Sequence, residues 1–156
     1  MPLPANFSTT FDIVFAGGGS APSVNPYSAR ALRGTLRPIA MASGDGLLAR
    51  TVNGTLVDIS APQMRKYRLE IGGNDMAPPA LDGVWVGMQV TVNSNVELAF
   101  LTAGGSPERT PVSGSVHYDG DYTYYCPSFQ MLVVDRQQER EEWGAVVNWS
   151  LVLEEI

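Results

Sequence analysis

The sequence holds one cysteine, one histidine and one lysine in 156 residues. A lone Cys126 excludes a disulfide within the chain, so the fold has to hold without covalent staples. One Cys and one His are too few for a zinc site. A single lysine, Lys66, joins nine arginines against 16 acidic residues, for a net charge of −6. That balance lacks the basic footprint of a nucleic-acid binder and would repel a phosphate backbone, so no specific nucleic-acid binding is expected. No apolar run approaches the roughly 18 residues of a membrane span, and no membrane partner is expected. The apolar patch from Ile13 to Ala16 is too short for a signal core and lacks a basic flank, so the chain is expected to be made and kept in the cytoplasm. Sustained 3.6-residue periodicity is missing as well. One short helix candidate remains, Ser-Ala-Pro-Gln-Met-Arg-Lys-Tyr from Ser60 to Tyr67, with Ser60 as the cap before Pro62.

What is present is a period of two. In the closing stretch Trp143, Ala145, Val147, Trp149, Leu151 and Leu153 share one parity and form a wholly apolar face, the mark of a half-buried strand. From Met88 to Phe100 the apolar residues Met88, Val90, Val92, Val96, Leu98 and Phe100 alternate with Gln, Thr, Asn and Glu. Tyr67, Leu69 and Ile71 alternate with Lys66, Arg68 and Glu70, and Leu32 and Leu36 with Arg33 and Arg37. Asn53-Gly54 predicts a two-residue type I′ hairpin turn. A second hairpin turns at Asp119-Gly120-Asp121 and runs into an apolar strand from Phe129 to Val134. The polar stretch from Asp135 to Gly144 is expected to join two strands.

The fold class that follows is all-β, an antiparallel β-sandwich or barrel with an extended N-terminal arm. Hydrophobic content of 44% supports a core, and the length fits one domain. Residues 1–29, with Gly17-Gly18-Gly19, Pro22 and Pro26, read as an arm or loop, and residues 30–156 as a single β-domain. The core is expected to include Val90, Val92, Leu98, Val147, Trp149, Leu151 and Leu153. Residues 72–87 form a second long irregular connection, of a length that in compact domains is usually functional or disordered. With no alternation to bury them, Phe15, Met76, Leu81 and Trp85 are the candidate subunit-interface residues.

Chemistry finds few carriers. His117 has Ser113 and Ser115 nearby, but no G-x-S-x-G elbow surrounds either serine. Asp119 and Asp121 lack the later ligands of a calcium loop. Gly17-Gly18-Gly19 lacks the Lys and Ser/Thr of a phosphate-binding loop. Glu139, Glu141 and Glu142 with Arg136 and Arg140 read as a solvated mixed-charge segment, and Cys126 as a buried structural thiol. No catalytic residue, metal or cofactor is expected, and the chain is read as a non-enzyme rich in loops, arginines and aromatics suited to protein contact.

Residues 66–156 resemble small structural proteins of tailed bacteriophages. The resemblance rests on YRLEIGGNDMAPPALDGVWVGMQVTVNSNVEL, SGSVHYDGDYTYYCPSFQMLVV and EEWGAVVNWSLVLEE, strings similar to those encoded in phage tail gene clusters. It implies a virion subunit of the tail tip or baseplate, forming a symmetric ring or trimer with copies of itself and touching other virion proteins through its arm and long loops. The alternatives are a capsid decoration (cement) protein and, from a different class, a carbohydrate-binding β-sandwich using Trp85 as a stacking platform.

Overall fold

The computed structural model describes residues 33–39, 48–59, 65–75, 78–79, 81–94, 96–144 and 146–156, and the backbone of 12–15. The protein is all-β and its sheets are antiparallel throughout. Its strands are β1 (Asp12–Phe15), β2 (Arg33–Pro38), β3 (Leu48–Arg50), β4 (Leu56–Asp58), β5 (Tyr67–Asp75), β6 (Gln89–Asn93), β7 (Leu98–Leu101), β8 (His117–Asp119), β9 (Tyr122–Tyr125), β10 (Ser128–Glu141) and β11 (Val146–Glu155). Six of them form one curled sheet in the order β1-β6-β10-β11-β5-β2, beside a three-stranded sheet β7-β9-β8 and the separate hairpin β3-β4.

Alternation explains which face of the large sheet is dry. Directly opposed residues of antiparallel strands share a face. The register aligns Leu153 with Leu69 and Val133, Leu151 with Ile71, Val90 with Met131, and Val92 with Phe129. All of these are buried and belong to one cluster. The other face is wet and carries an ion ladder: Arg37 pairs with Glu70, and Arg68 bridges Glu70 at 3.0 Å and Glu154 at 3.1 Å. The dry face is covered by Leu81 and Val84 from the connection between β5 and β6.

Strand β10 changes face within its length. Its register shifts between Val133 and Asp135, leaving Val134 as a bulge. Beyond it Arg136, Gln138 and Arg140 oppose Leu151, Trp149 and Val147. Without the extra residue, Asp135 would fall on the apolar face. With it, Arg136 reaches across to donate from Nη1 to the Val84 carbonyl at 3.1 Å. The bulge thus puts a long cationic side chain, whose stem tolerates apolar surroundings, where an aspartate would have been stranded.

Several expectations need correcting. Residues 135–141 are strand, not a connection: β10 runs on past its last pairing with β6, at Leu132, as an edge against β11, and its residues from Gln137 to Glu141 are exposed, so polarity there reflects solvent and not irregularity. Strand β11 starts at Val146, and Trp143 lies in the turn, 99% exposed, rather than on the apolar face. The run from Met88 to Phe100 is two strands in different sheets. It breaks at Ser94, whose N–H donates to the Pro127 carbonyl at 3.0 Å and whose Oγ accepts from the Val96 N–H at 3.0 Å. Leu98, after this break, is half-buried and outside the main cluster, while Val90, Val92, Val147, Trp149, Leu151 and Leu153 are buried as expected. The turn after β3 is not the two-residue type: the Gly54 N–H donates to the Thr51 carbonyl at 2.8 Å, so Val52 and Asn53 are its central residues. Gly54, at φ +79°, takes the left-handed position that closes such a three-residue loop. The turn at Gly120, φ +60°, lies where expected. Residues 60–64 of the helix candidate, Leu32, and the arm outside 12–15 lie outside the described residues, whereas Tyr67 opens β5.

Trp149 closes one end of the core. Its ring lies over Gly73, where an added Cβ would sit 3.3 Å from Nε1. The indole N–H is buried without a hydrogen-bond partner, which costs about 1–3 kcal/mol. Trp149→Ala should therefore lose about 3–5 kcal/mol. Trp149→Phe should lose less than half of that, because it also removes the stranded donor. Chemical denaturation of both variants checks the pair, and equal losses would contradict this account of the site.

Candidate assembly surface

The hairpin β3-β4 makes no strand pairing beyond itself among the described residues. Its register sets Leu48 opposite Asp58, Ala49 opposite Val57 and Arg50 opposite Leu56. Both faces therefore carry apolar side chains, and Leu48, Val52, Leu56, Val57 and Ile59 are all exposed. An isolated two-stranded hairpin is marginal in water. This one is held at its turn by Thr51 and Thr55, whose backbones bond at 2.9 Å, and by Arg50 Nη1 donating to the Gly54 carbonyl at 3.0 Å. Nothing in that local network accounts for the aliphatic residues. The sequence signal for them is the adjacency of Leu56 and Val57, which breaks the polar-apolar alternation of a strand with one wet face.

Two further sites add to the exposed apolar surface. Trp85 is 71% exposed beside exposed Val86, on a segment anchored to the chain's own sheet: the Gly87 N–H donates to Val133 at 2.8 Å, and Val133 returns its N–H to Met88 at 2.9 Å. Trp143 stands in the turn between β10 and β11.

Of the four candidate interface residues, Trp85 is accessible. Leu81 is not: at 0% exposure it belongs to the chain's own core, because the turn that brings the Val84 N–H to the Leu81 carbonyl at 3.0 Å points both side chains at the sheet. The connection read as residues 72–87 is also shorter than expected, since β5 extends to Asp75. Met76 lies outside the described residues. Phe15 is described by its backbone alone, in register with Val90.

The three-stranded sheet holds an open cleft of about 390 Å³, lined mainly by Phe100, Pro107, Pro111, Val116, Tyr118 and Tyr125. Its polar members, Thr102 and Thr123, hydrogen-bond each other at 2.9 Å. On the same sheet His117 stacks on Tyr124 with centroids 5.2 Å apart, and its Nδ1 lies 3.5 Å from a Glu97 carboxylate oxygen. Ser115 is not poised beside it as a nucleophile. Its hydroxyl donates to the Val112 carbonyl at 2.8 Å and accepts from the Cys126 N–H at 3.1 Å, a structural bridge. Burial, and secondarily the Glu97 charge, pushes the Cys126 thiol up from its ordinary value, which disfavours the reactive thiolate.

Arg109 ties the loop between β7 and β8 to the large sheet. Its Nε and Nη2 grip both oxygens of Glu155 at 2.7 and 3.1 Å, Nη2 also donates to the Arg65 carbonyl at 2.7 Å, and the guanidinium lies 5.3 Å from the Tyr67 ring centroid. The Glu155 hydrogen bond raises the Arg109 pKa despite desolvation. A raised arginine pKa leaves its contribution fully present below the ordinary value, so the guanidinium itself imposes no pH dependence near neutrality.

No protein family, no curated protein and no solved structure matches this chain.

Two substitutions probe these supports. Arg109→Ala strands a largely buried Glu155 and should cost about 2–3 kcal/mol, below the about 3–5 kcal/mol of a fully buried pair because both groups keep some solvent; denaturant midpoints measure it. A Cβ at Gly54 would meet no atom within 4 Å, so the cost of Gly54→Val, about 1–2 kcal/mol, comes chiefly from the positive φ. It should appear as faster amide exchange at Thr51 and Thr55 with the global midpoint unchanged.

Proposed function

We propose that this chain is a non-enzymatic structural subunit that assembles with copies of itself, and that its setting is the virion of a tailed phage, at the tail tip or baseplate. The observation that supports assembly is the hairpin β3-β4, which carries aliphatic side chains on both faces, beside Arg50 and Asp58 on one of them, and is exposed along its length. Soluble monomers rarely show contiguous apolar patches above a few hundred Å², and a standard interface covers about 800 Å² on each partner. Trp85 and Trp143 supply the large aromatic anchors that such contacts use. The virion setting rests on the resemblance of residues 66–156. A subunit built this way works by position: the sheet carries the two tryptophan segments, the hairpin offers its exposed apolar side chains, and copies docked through them repeat one geometry.

Light scattering on the purified chain should give a mass several times that of the 16.8 kDa protomer. Leu56→Asp combined with Ile59→Asp should return it to one protomer with an unchanged unfolding midpoint. A wild-type chain that stays monomeric at millimolar concentration would remove the assembly reading. For the setting, an antibody to the chain should label the tail tip of negatively stained virions. Label on the capsid would transfer the chain to the decoration role, and unlabelled virions would end the phage reading.

A further inference from the structure

Two strand edges of the large sheet lack a strand partner among the described residues. One is the outer edge of β2, which pairs with β5 alone. The other is the second half of β10, which pairs with β6 only from Ser128 to Leu132 but with β11 as far as Glu141. Gln137 to Glu141 are exposed, and so are Arg33, Thr35 and Arg37. Such edges are templates for another strand.

Their backbone groups can be followed outward. The Ile39 N–H turns toward β5, donating to the Lys66 carbonyl at 2.8 Å. Alternation then points the N–H and C=O of Gly34 and Leu36 away from β5, and Pro38, which has no N–H to offer, ends that outward row. On β10, Val133 exchanges bonds with Gly87 and Met88, away from β11. The bulge at Val134 shifts the alternation by one residue, so beyond it Arg136, Gln138 and Arg140 present their backbone groups outward.

Charge decides which edges can meet. On the wet face the β2 edge carries Arg33, Thr35 and Arg37, and the β10 edge carries Gln137, Glu139 and Glu141. Two β2 edges in full overlap would set Arg33 against Arg37. Two β10 edges would set Glu139 against Glu139. Like charges directly opposed on a sheet destabilise it. The unlike combination has no such conflict. Laid antiparallel, Arg33 to Arg37 of one copy along Glu141 to Gln137 of another opposes Arg33 to Glu141, Thr35 to Glu139 and Arg37 to Gln137. The same register opposes Gly34 to Arg140 and Leu36 to Gln138, the residues whose backbone groups point outward on each side. Arg33, Glu139 and Glu141 make no ion pair among the described residues, so their charges are available for this contact.

We infer that copies of this chain join edge to edge, residues 33–37 of one pairing with residues 137–141 of the next, so that the large sheet continues from copy to copy. The pairing rests on the self-assembly reading above and adds its direction. The contact is between unlike edges, hence heterologous, and it builds a ring where the rotation closes. Five residues of pairing bury too little to hold two copies alone, since a standard interface covers about 800 Å² on each partner. The exposed hairpin β3-β4, next in the chain after β2, supplies the apolar area.

Single-cysteine chains test it. Arg33→Cys and Glu141→Cys are made as separate chains, each in a Cys126→Ser background, then mixed and oxidised at assembling concentration. Thr35→Cys with Glu139→Cys is the second pair, in case the first disturbs folding. Mass is read by light scattering and linkage by non-reducing gel. The mixture should give a covalent dimer as its main band, and neither chain oxidised alone should give one. An assembled mixture without that dimer from either pair would overturn the edge pairing while leaving self-assembly intact. Dimers from one chain alone would show like edges meeting, which also ends the inference, and a monomeric sample would overturn both readings. Charge reversal gives a second measure. Arg33→Glu should raise the concentration for half-assembly about tenfold or more, and adding Glu141→Arg to the same chain should restore it. A double variant no better than Arg33→Glu would contradict the pairing of those two residues.

Discussion

Everything in this protein depends on covering one apolar face. The large sheet has no helix against it among the described residues and the chain can form no internal disulfide, so hydrophobic burial has to come from the sheet's own curl and from what the connections can supply. Leu81 and Val84 supply part of it from the segment before β6. At one end Arg109 and Glu155 close the face over Tyr67 and Phe129, trading two charges for hydrogen bonds that satisfy both. At the other end Trp149 closes it over Gly73 and leaves its own N–H without a partner. One end is polar and fully bonded. The other is apolar and carries a small deficit.

That economy explains the rest of the surface. The wet face of the same sheet is an ion ladder of Arg37, Arg68, Glu70 and Glu154, as expected for an antiparallel sheet with one side in water. Against this consistent background the hairpin β3-β4 and the two exposed tryptophans stand out as local conflicts: apolar side chains that no other described residue covers. Such inconsistency between levels is most often found where a protein meets something else, and it is the physical basis for reading the chain as one part of a larger object.

The small sheet illustrates how residue lists mislead without geometry. His117, Ser115, Cys126 and Glu97 do gather there, and as a list they resemble reactive chemistry. In place, Ser115 bridges two backbone segments, the thiol is pushed toward its protonated form, and the histidine is stacked on Tyr124. Each is occupied in holding β8 and β9 to the chain around Cys126.

The sequence by itself determined the all-β class, the inner face of β11 from Val147 to Leu153, the pairing parity of β5 and β6, and the turn at Gly120, because a period of two is a local property that solvent on one side and core on the other write directly into the residues. It did not determine where strands end or which sheet they join. Asn93-Ser94 separates β6 from β7 through a bond to Pro127, far away in sequence; the bulge at Val134 turns Arg136 inward and Asp135 outward; Trp143 shares the parity of β11 yet lies in the turn before it starts. Leu81 offers no periodicity, so only the fold reveals it as core, and Leu56 and Val57 became conspicuous only when their hairpin proved exposed and unpaired with any other strand among the described residues. In each case the deciding contact joins segments distant along the chain, and tertiary structure alone brings them together.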